Sequence, residues 1–255
     1  MHYSEFYDRA FIHQNYVFRF PSDTLKPYID FFWESDYDPG LQPFTIRSFP
    51  RIGSTLLFNI KGKFKFCKGG SSLMNEENIY YSRNQIIDTT HQADSKIFGV
   101  QFKINLPLIG NPGKSASHNN IFTANHLFAA TDNSRIIASE NFDERIVLCE
   151  SIILNRLTKK TEYMAHAVNS VISNATITSP AVDSKPGFIP HSTKTIERYF
   201  KSCTGTSPQK AIRIQKTRMA LQRKLENKTT FNCIDFGFYD ESHFYKCVHN
   251  LKSGY

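Results

Sequence analysis

The sequence predicts an α+β protein in two parts: a β-rich barrel or sandwich over residues 1–160, closed by a helix, and an all-α domain over 161–255. Three observations carry this expectation. Residues 1 to about 125 are rich in Phe, Tyr, Ile and Thr and are broken by Gly, Pro and Asn, the composition of strands and turns. After about residue 120 the apolar positions shift to helical spacing. Near the end a short helical pattern is written twice, Ile196-Glu197-Arg198-Tyr199-Phe200 and, 48 residues later, Phe244-Tyr245-Lys246-Cys247-Val248.

The elements follow in order. Residues 23–30 read as a short helix. Residues 55–60, 63–66 and 97–102 read as strands, the second alternating strictly between cationic and apolar side chains. Asp38-Pro39-Gly40, Lys68-Gly69-Gly70-Ser71 and Asn111-Pro112-Gly113 supply turn chemistry. Over 143–159, Ile146, Leu148, Ile152, Ile153 and Leu157 fall near helical spacing. Asp143 and Glu144 open that segment and Lys159-Lys160 close it, the order a helix dipole favours. A second helix is expected over 162–174, with Met164, Val168, Val171 and Ile172 on one face. Residues 176–190 contain three prolines and a glycine and read as a connection. Helices are then expected at 192–203, 208–226, 229–235 and 240–251.

Composition narrows the function classes. A chain of 255 residues, 40% hydrophobic and 21% charged, can bury a sizeable core and does not read as disordered. Cys67, Cys149, Cys203, Cys233 and Cys247 are scattered without a CxxC pair, which favours free thiols in a reducing compartment over disulfides or zinc. The polar start and the lack of a run of roughly 18 apolar residues argue against a signal peptide and a membrane span. A cytoplasmic location is expected. The nine histidines show no HxH or HxxxH spacing, so no metal or other cofactor is expected. Residues 110–115 resemble a phosphate loop only superficially, because Leu108 stands where its first glycine is required. With no GxSxG elbow either, the chain is not expected to be an enzyme. Tyr28, Phe31, Phe32 and Trp33 are apt for a ligand pocket, but core packing is the favoured reading.

The repeated pattern lies in the most basic stretch. Residues 191–255 hold 12 Lys and Arg against 5 Asp and Glu, +7 of the chain's +8, whereas residues 1–190 hold 19 against 18. In the first copy Ser192 is placed to cap a helix, Ile196 and Phe200 share its inner face, and Lys194, Glu197, Arg198 and Lys201 face outward. Gly205 is positioned to end that helix and Ser207-Pro208 to start the next. In the second copy Gly237 stands at a tight turn and Asp240 at a cap. Phe244 and Val248 then face inward, and Glu241, Ser242, Tyr245 and Lys246 outward. Two such helices about 34 Å apart enter successive major grooves on one face of a duplex. Double-stranded DNA is the expected partner.

These residues resemble the carboxyl-terminal signature of the AraC family of bacterial transcription regulators. The first half of that signature matches Ser192, Ile196, Arg198, Phe200-Lys201, Gly205 and Ser207-Pro208. The second half matches Gly237-Phe238, Asp240, Ser242, Phe244 and Lys246. The resemblance spans roughly 60 residues and implies a double helix-turn-helix module joined by a long helix over 209–226. It implies base-edge contacts from Lys194, Glu197, Arg198, Ser242, Tyr245 and Lys246, with Lys201 and His249 near phosphate. Glu197 and Glu241 are apt either to accept from cytosine amino groups or to pair with neighbouring cations. A looser resemblance to a β-rich regulatory domain of the same family covers Pro21, 25–29, 31–33, 56–59 and 97–103. It implies a domain that senses a small-molecule effector or holds a homodimer; the helix over 143–159 is the best candidate for a dimer or interdomain surface, the plain alternative being a helix packed on its own β domain.

Three departures from the family pattern stand out. Lys185-Pro186-Gly187 replaces a Leu-Ala pair in the helix before the first recognition helix, and an internal proline costs about 3 kcal/mol. Val248-His249 stands where Phe-Lys is usual. The closing glycine comes one place late, at Gly254, and the sequence stops at Tyr255 before the usual Ser-Pro, which reads as a degenerate or clipped end. The competing expectation is a β-barrel ligand-binding or enzymatic protein with a degenerate helical tail that binds no DNA.

Overall fold

A computed structural model of the chain describes residues 16–37, 40, 42–68, 71–75, 78–104, 121–123, 127–176, 193–226 and 230–253. Its strands are β1 (Tyr16–Arg19), β2 (Ile29–Asp36), β3 (Phe44–Ser48), β4 (Ser54–Lys61), β5 (Phe64–Lys68), β6 (Ser71–Asn75), β7 (Ile79–Ser82), β8 (Ile87–His91), β9 (Lys96–Phe102) and β10 (Ile121–Thr123). They form two antiparallel sheets, one in the order β1-β2-β9-β4-β7-β10 and the other β3-β8-β5-β6.

Side-chain alternation explains the layering. Along β5, Phe64, Phe66 and Lys68 point inward while Lys65 is exposed. Phe64, Phe66 and Ile87 of the smaller sheet pack against Leu57, Ile79, Tyr81 and Ile97 of the larger one. Phe66 and Tyr81 meet across this space with ring centroids 4.6 Å apart. The other parity of the larger sheet, including Phe32, Leu56, Phe58, Phe98 and Phe102, lies beneath helices. Phe58 stacks on Phe98 at 5.7 Å and on Phe128 at 5.9 Å. The result is a sheet–sheet–helix sandwich with one apolar layer on each side of the central sheet. Tyr28 and Phe32 are buried in the helix-side core, as core packing requires. Trp33 lies across Gly99, where an added Cβ would come within 2.1 Å of the indole. Only glycine admits that approach.

The helices are α1 (Ala130–Ala138), α2 (Phe142–Leu154), α3 (Lys159–Thr176), α4 (Thr193–Thr204), α5 (Pro208–Glu226) and α6 (Glu241–Ser253). Asn141 caps α2 by accepting from the Glu144 amide. Inside the helix layer Arg145 donates to Glu34 of β2 at 2.7 Å, both side chains being buried. Val147 and Leu154 are exposed on the opposite side of α2.

Four local expectations change. Residues 23–28 form successive turns, with the Leu25 and Lys26 amides bonded to the Ser22 carbonyl, before the chain extends into β2 at Ile29. Pro27 has no amide to continue a helix, and the β-favouring run after it takes over. The helix expected over 143–159 stops at Leu154, and Lys159 opens α3 instead. Thr158 caps that start by accepting from the Thr161 amide at 3.2 Å, so Lys159-Lys160 cannot serve as the cationic end of α2. The helix expected over 229–235 contracts to one 3-10 turn, Cys233–Phe236, because Asn232 accepts from the Ile234 amide. Helix α1 was not expected: Ile136 is its one buried large apolar side chain. Residues 38–39, 69–70 and 111–113 of the expected turns lie outside the described residues, as do residues 110–115 and Pro186.

The helical half docks on the sandwich. Met164, Ala165 and Val168 of α3, Phe200 of α4 and Ala211 of α5 share one core with Leu25, Tyr28 and Ile29. Asn169 donates to the Pro27 carbonyl at 3.1 Å. Between β3 and β4, Phe49 is 1% exposed and packs among Ile214, Leu221, Phe238, Phe244 and Val248. The Pro50 carbonyl accepts from Arg218 of α5, and Asn84 donates to the Gly205 carbonyl. Among the described residues no helix is long and apolar enough to cross a membrane. No group of three His, Cys, Asp or Glu among them is placed to hold a metal ion.

Candidate nucleic-acid interface

The candidate interface is built on α4, α5 and α6. Helix α4 buries Phe200 and exposes Lys194, Glu197, Arg198 and Lys201. It ends at Gly205, whose φ of +70° is reached without strain only by glycine and whose amide bonds the Lys201 carbonyl at 2.8 Å. Ser207 then caps α5, its hydroxyl accepting from the Lys210 amide, with Pro208 in the first helical position. Ser192 lies outside the described residues. Helix α3 packs against both α4 and α5 and so braces the first unit from its inner side.

The second unit has the expected joint. The 3-10 turn Cys233–Phe236 ends at Gly237, with φ of +77°, and its amide returns to the Cys233 and Ile234 carbonyls. Asp240 caps α6, its carboxylate accepting from the His243 amide at 2.7 Å. Phe244, Cys247, Val248 and Leu251 are buried against Ile214, Ala220, Leu221 and Phe238. Burial pushes the Cys247 thiol up from its ordinary range. Val248 is enclosed in this core. Glu241, Ser242, Tyr245, Lys246 and His249 are exposed. All nine side chains expected at a DNA surface thus lie on the outward faces of α4 and α6.

Helix α5 joins the units. Ala211, near its start, belongs to the core beneath α4, while Ile214, Ala220 and Leu221 belong to the core beneath α6. Nineteen helical residues span about 28 Å. That length is close to the roughly 34 Å repeat of the major groove.

No family model and no curated sequence matches the chain. Solved structures do. ToxT from Vibrio cholerae strain SCE256 bound to an unsaturated fatty acid is similar at 12% identity and a TM-score of 0.43, over 92% of this chain and 91% of that one. ToxT from Vibrio cholerae O395 is similar at 13% identity and 0.40, over 93% and 94%. The AraC-like transcriptional activator CuxR is similar at 11% identity and 0.25, over 85% and 87%.

Two features of the interface were not evident in the sequence. Lys224, near the end of α5, donates to the Tyr245 hydroxyl at 2.6 Å and lies 3.6 Å from the Glu241 carboxylate. Its ammonium also sits over the rings of Tyr245, Phe231 and Phe244, at 4.6, 5.2 and 5.7 Å from their centroids. The Tyr245 hydroxyl, foremost, holds the Lys224 ammonium above its ordinary range against the opposing effect of burial. Glu241 is thus paired with a cation on another helix, not with Lys246. The second feature is Tyr239, 88% exposed at the turn before α6 and stacked on His243 at 5.4 Å. The only sequence signal for either was an unassigned cation or aromatic flanking a helix.

Proposed function

We propose that this chain is a sequence-specific DNA-binding transcription regulator, a binding protein and not an enzyme. The observation that carries this reading is the construction of the helical half: two outward polar helices, each beside a left-handed glycine joint, rigidly spaced by α5. Helices α4 and α6 enter successive major grooves, with Lys194, Glu197, Arg198, Ser242, Tyr245 and Lys246 at base edges and Lys201 and His249 near phosphate. Glu241 lies on the same face. Residues 161–255 bind the duplex, and residues 1–160 sense a small-molecule effector or hold a homodimer. The exposed Val147 and Leu154 on the outer side of α2 support self-association through that helix. Phosphate contacts supply most of the affinity and base contacts the selectivity.

The test is a fluorescence-anisotropy titration of the full chain against duplexes enriched from a random-sequence pool, at several salt concentrations. Affinity should fall steeply with salt. Arg198→Ala and Lys246→Ala should each weaken binding about tenfold. If both variants keep the wild-type affinity and salt slope, the reading is wrong.

A further inference from the structure

Within that reading, the ammonium of Lys224 does something no phosphate-seeking lysine does. It points at the recognition helix of its own chain. Among the described residues its polar and ring contacts are to α6 and to the aromatic wall beside it: the Tyr245 hydroxyl at 2.6 Å, Glu241 at 3.6 Å, and the faces of Tyr245, Phe231 and Phe244. Its side chain is 26% exposed, while Glu241 is 69% exposed and Tyr245 50%. The cation therefore sits behind the two groups that face solvent.

We infer that Lys224 is the positioning residue of the second recognition helix and sets the hydrogen-bonding polarity that α6 presents to a base edge. The chemistry follows from donor and acceptor inventory. An ammonium has donors only, so the 2.6 Å contact consumes a lone pair of the Tyr245 oxygen and leaves the phenolic hydrogen to donate outward. Tyr245 is thereby presented as a donor, suited to guanine O6, thymine O4 or a purine N7. Glu241 is acceptor-only, suited to a cytosine or adenine amino group, and its pairing with Lys224 fixes where that acceptor stands. One lysine thus fixes a donor and an acceptor a single helical turn apart.

The experiment compares the full-length wild type with Lys224→Met, Lys224→Arg and Tyr245→Phe. Each is titrated against a duplex enriched by the wild type from a random pool and against the unselected pool itself. Lys224→Met keeps the aliphatic stem over the rings and removes the ammonium. It should lower the ratio of selected to unselected affinity about tenfold, the scale of one lost base contact, while affinity for the unselected pool changes less than about twofold. Lys224→Arg, which retains a donor cation, should recover most of the ratio. Tyr245→Phe, which keeps the ring and removes the hydroxyl itself, should lower the ratio to a similar extent, and Lys224→Leu serves in place of the Met variant if that one fails to fold. A wild type that enriches no sequence sinks the regulator reading as a whole. A wild type that selects, with a Met variant that selects equally well or loses both affinities in parallel, overturns the role of Lys224 alone.

Discussion

Lys68 is a buried ammonium with no carboxylate among its described partners. Its side chain is 1% exposed, its ammonium donates to the neutral Ser82 carbonyl at 2.8 Å, and burial pulls its pKa down to about 8. An unfolded lysine titrates near 10.4, so between about pH 8 and 10.5 the unfolded chain binds more protons than the folded one. Stability therefore rises with pH through that window, and the penalty is fully present below pH 8. The shift corresponds to on the order of 3 kcal/mol. Urea unfolding should show the full chain gaining stability from pH 8 to 10, and Lys68→Met should gain at pH 7 and lose that advantage by pH 10. A wild-type profile flat across the window would contradict this account. At the other end of the chain, Asp240→Ala removes the acceptor for the His243 amide and should cost about 1 kcal/mol, read from the same unfolding curves.

At the scale of elements, the second helix-turn-helix unit is held at every joint by contacts within the described residues: Asn232 starts its turn, Gly237 ends it and Asp240 starts α6. Helix α4 has Phe200 inside and Gly205 at its end, with α3 as brace. Because Lys185-Pro186-Gly187 interrupts the sequence before α4, native-state amide exchange should be faster over 194–203 than over 242–250; the reverse order would argue against it. Periodicity made these outward faces legible, since a buried Phe200 or Phe244 dictates which residues one turn away point out. Strands β4, β5 and β9 were legible for a similar reason, being long or strictly alternating. Strands such as β3 (FTIRS) and β8 (IDTTH) carry too few apolar positions to declare themselves. The Lys224–Tyr245 contact joins residues 21 apart across two helices, and no local pattern encodes it. The boundary between α2 and α3 was missed because Leu157 continues the apolar spacing past the point where Thr158 caps the next helix.

For the whole molecule, the expected boundary near residue 160 falls in the first turn of α3, yet the cores do not part there. One core runs from Leu25 and Phe58 through Met164 to Ala211, and the other contains Phe49 from the sandwich among residues of α5 and α6. Phe49→Ala should destabilise the full chain by about 3 kcal/mol, the cost of emptying a filled aromatic site. Calorimetry on the wild type should show a single transition, because Phe49, Arg218–Pro50 and Asn84–Gly205 tie both helix-turn-helix units to the sandwich. Two well-separated transitions would show the halves melting independently.

The seat of Phe49 has an engineering consequence. A chimera that transplants residues 161–255 onto an unrelated β domain leaves the cluster of α5 and α6 without the Phe49 ring that completes it. Such a graft should fold well only if the corner between β3 and β4 travels with it, or if the new domain offers an equivalent aromatic. A substitution at Phe49 is therefore felt in the helical half, and one in the surrounding cluster is felt at the β3–β4 corner.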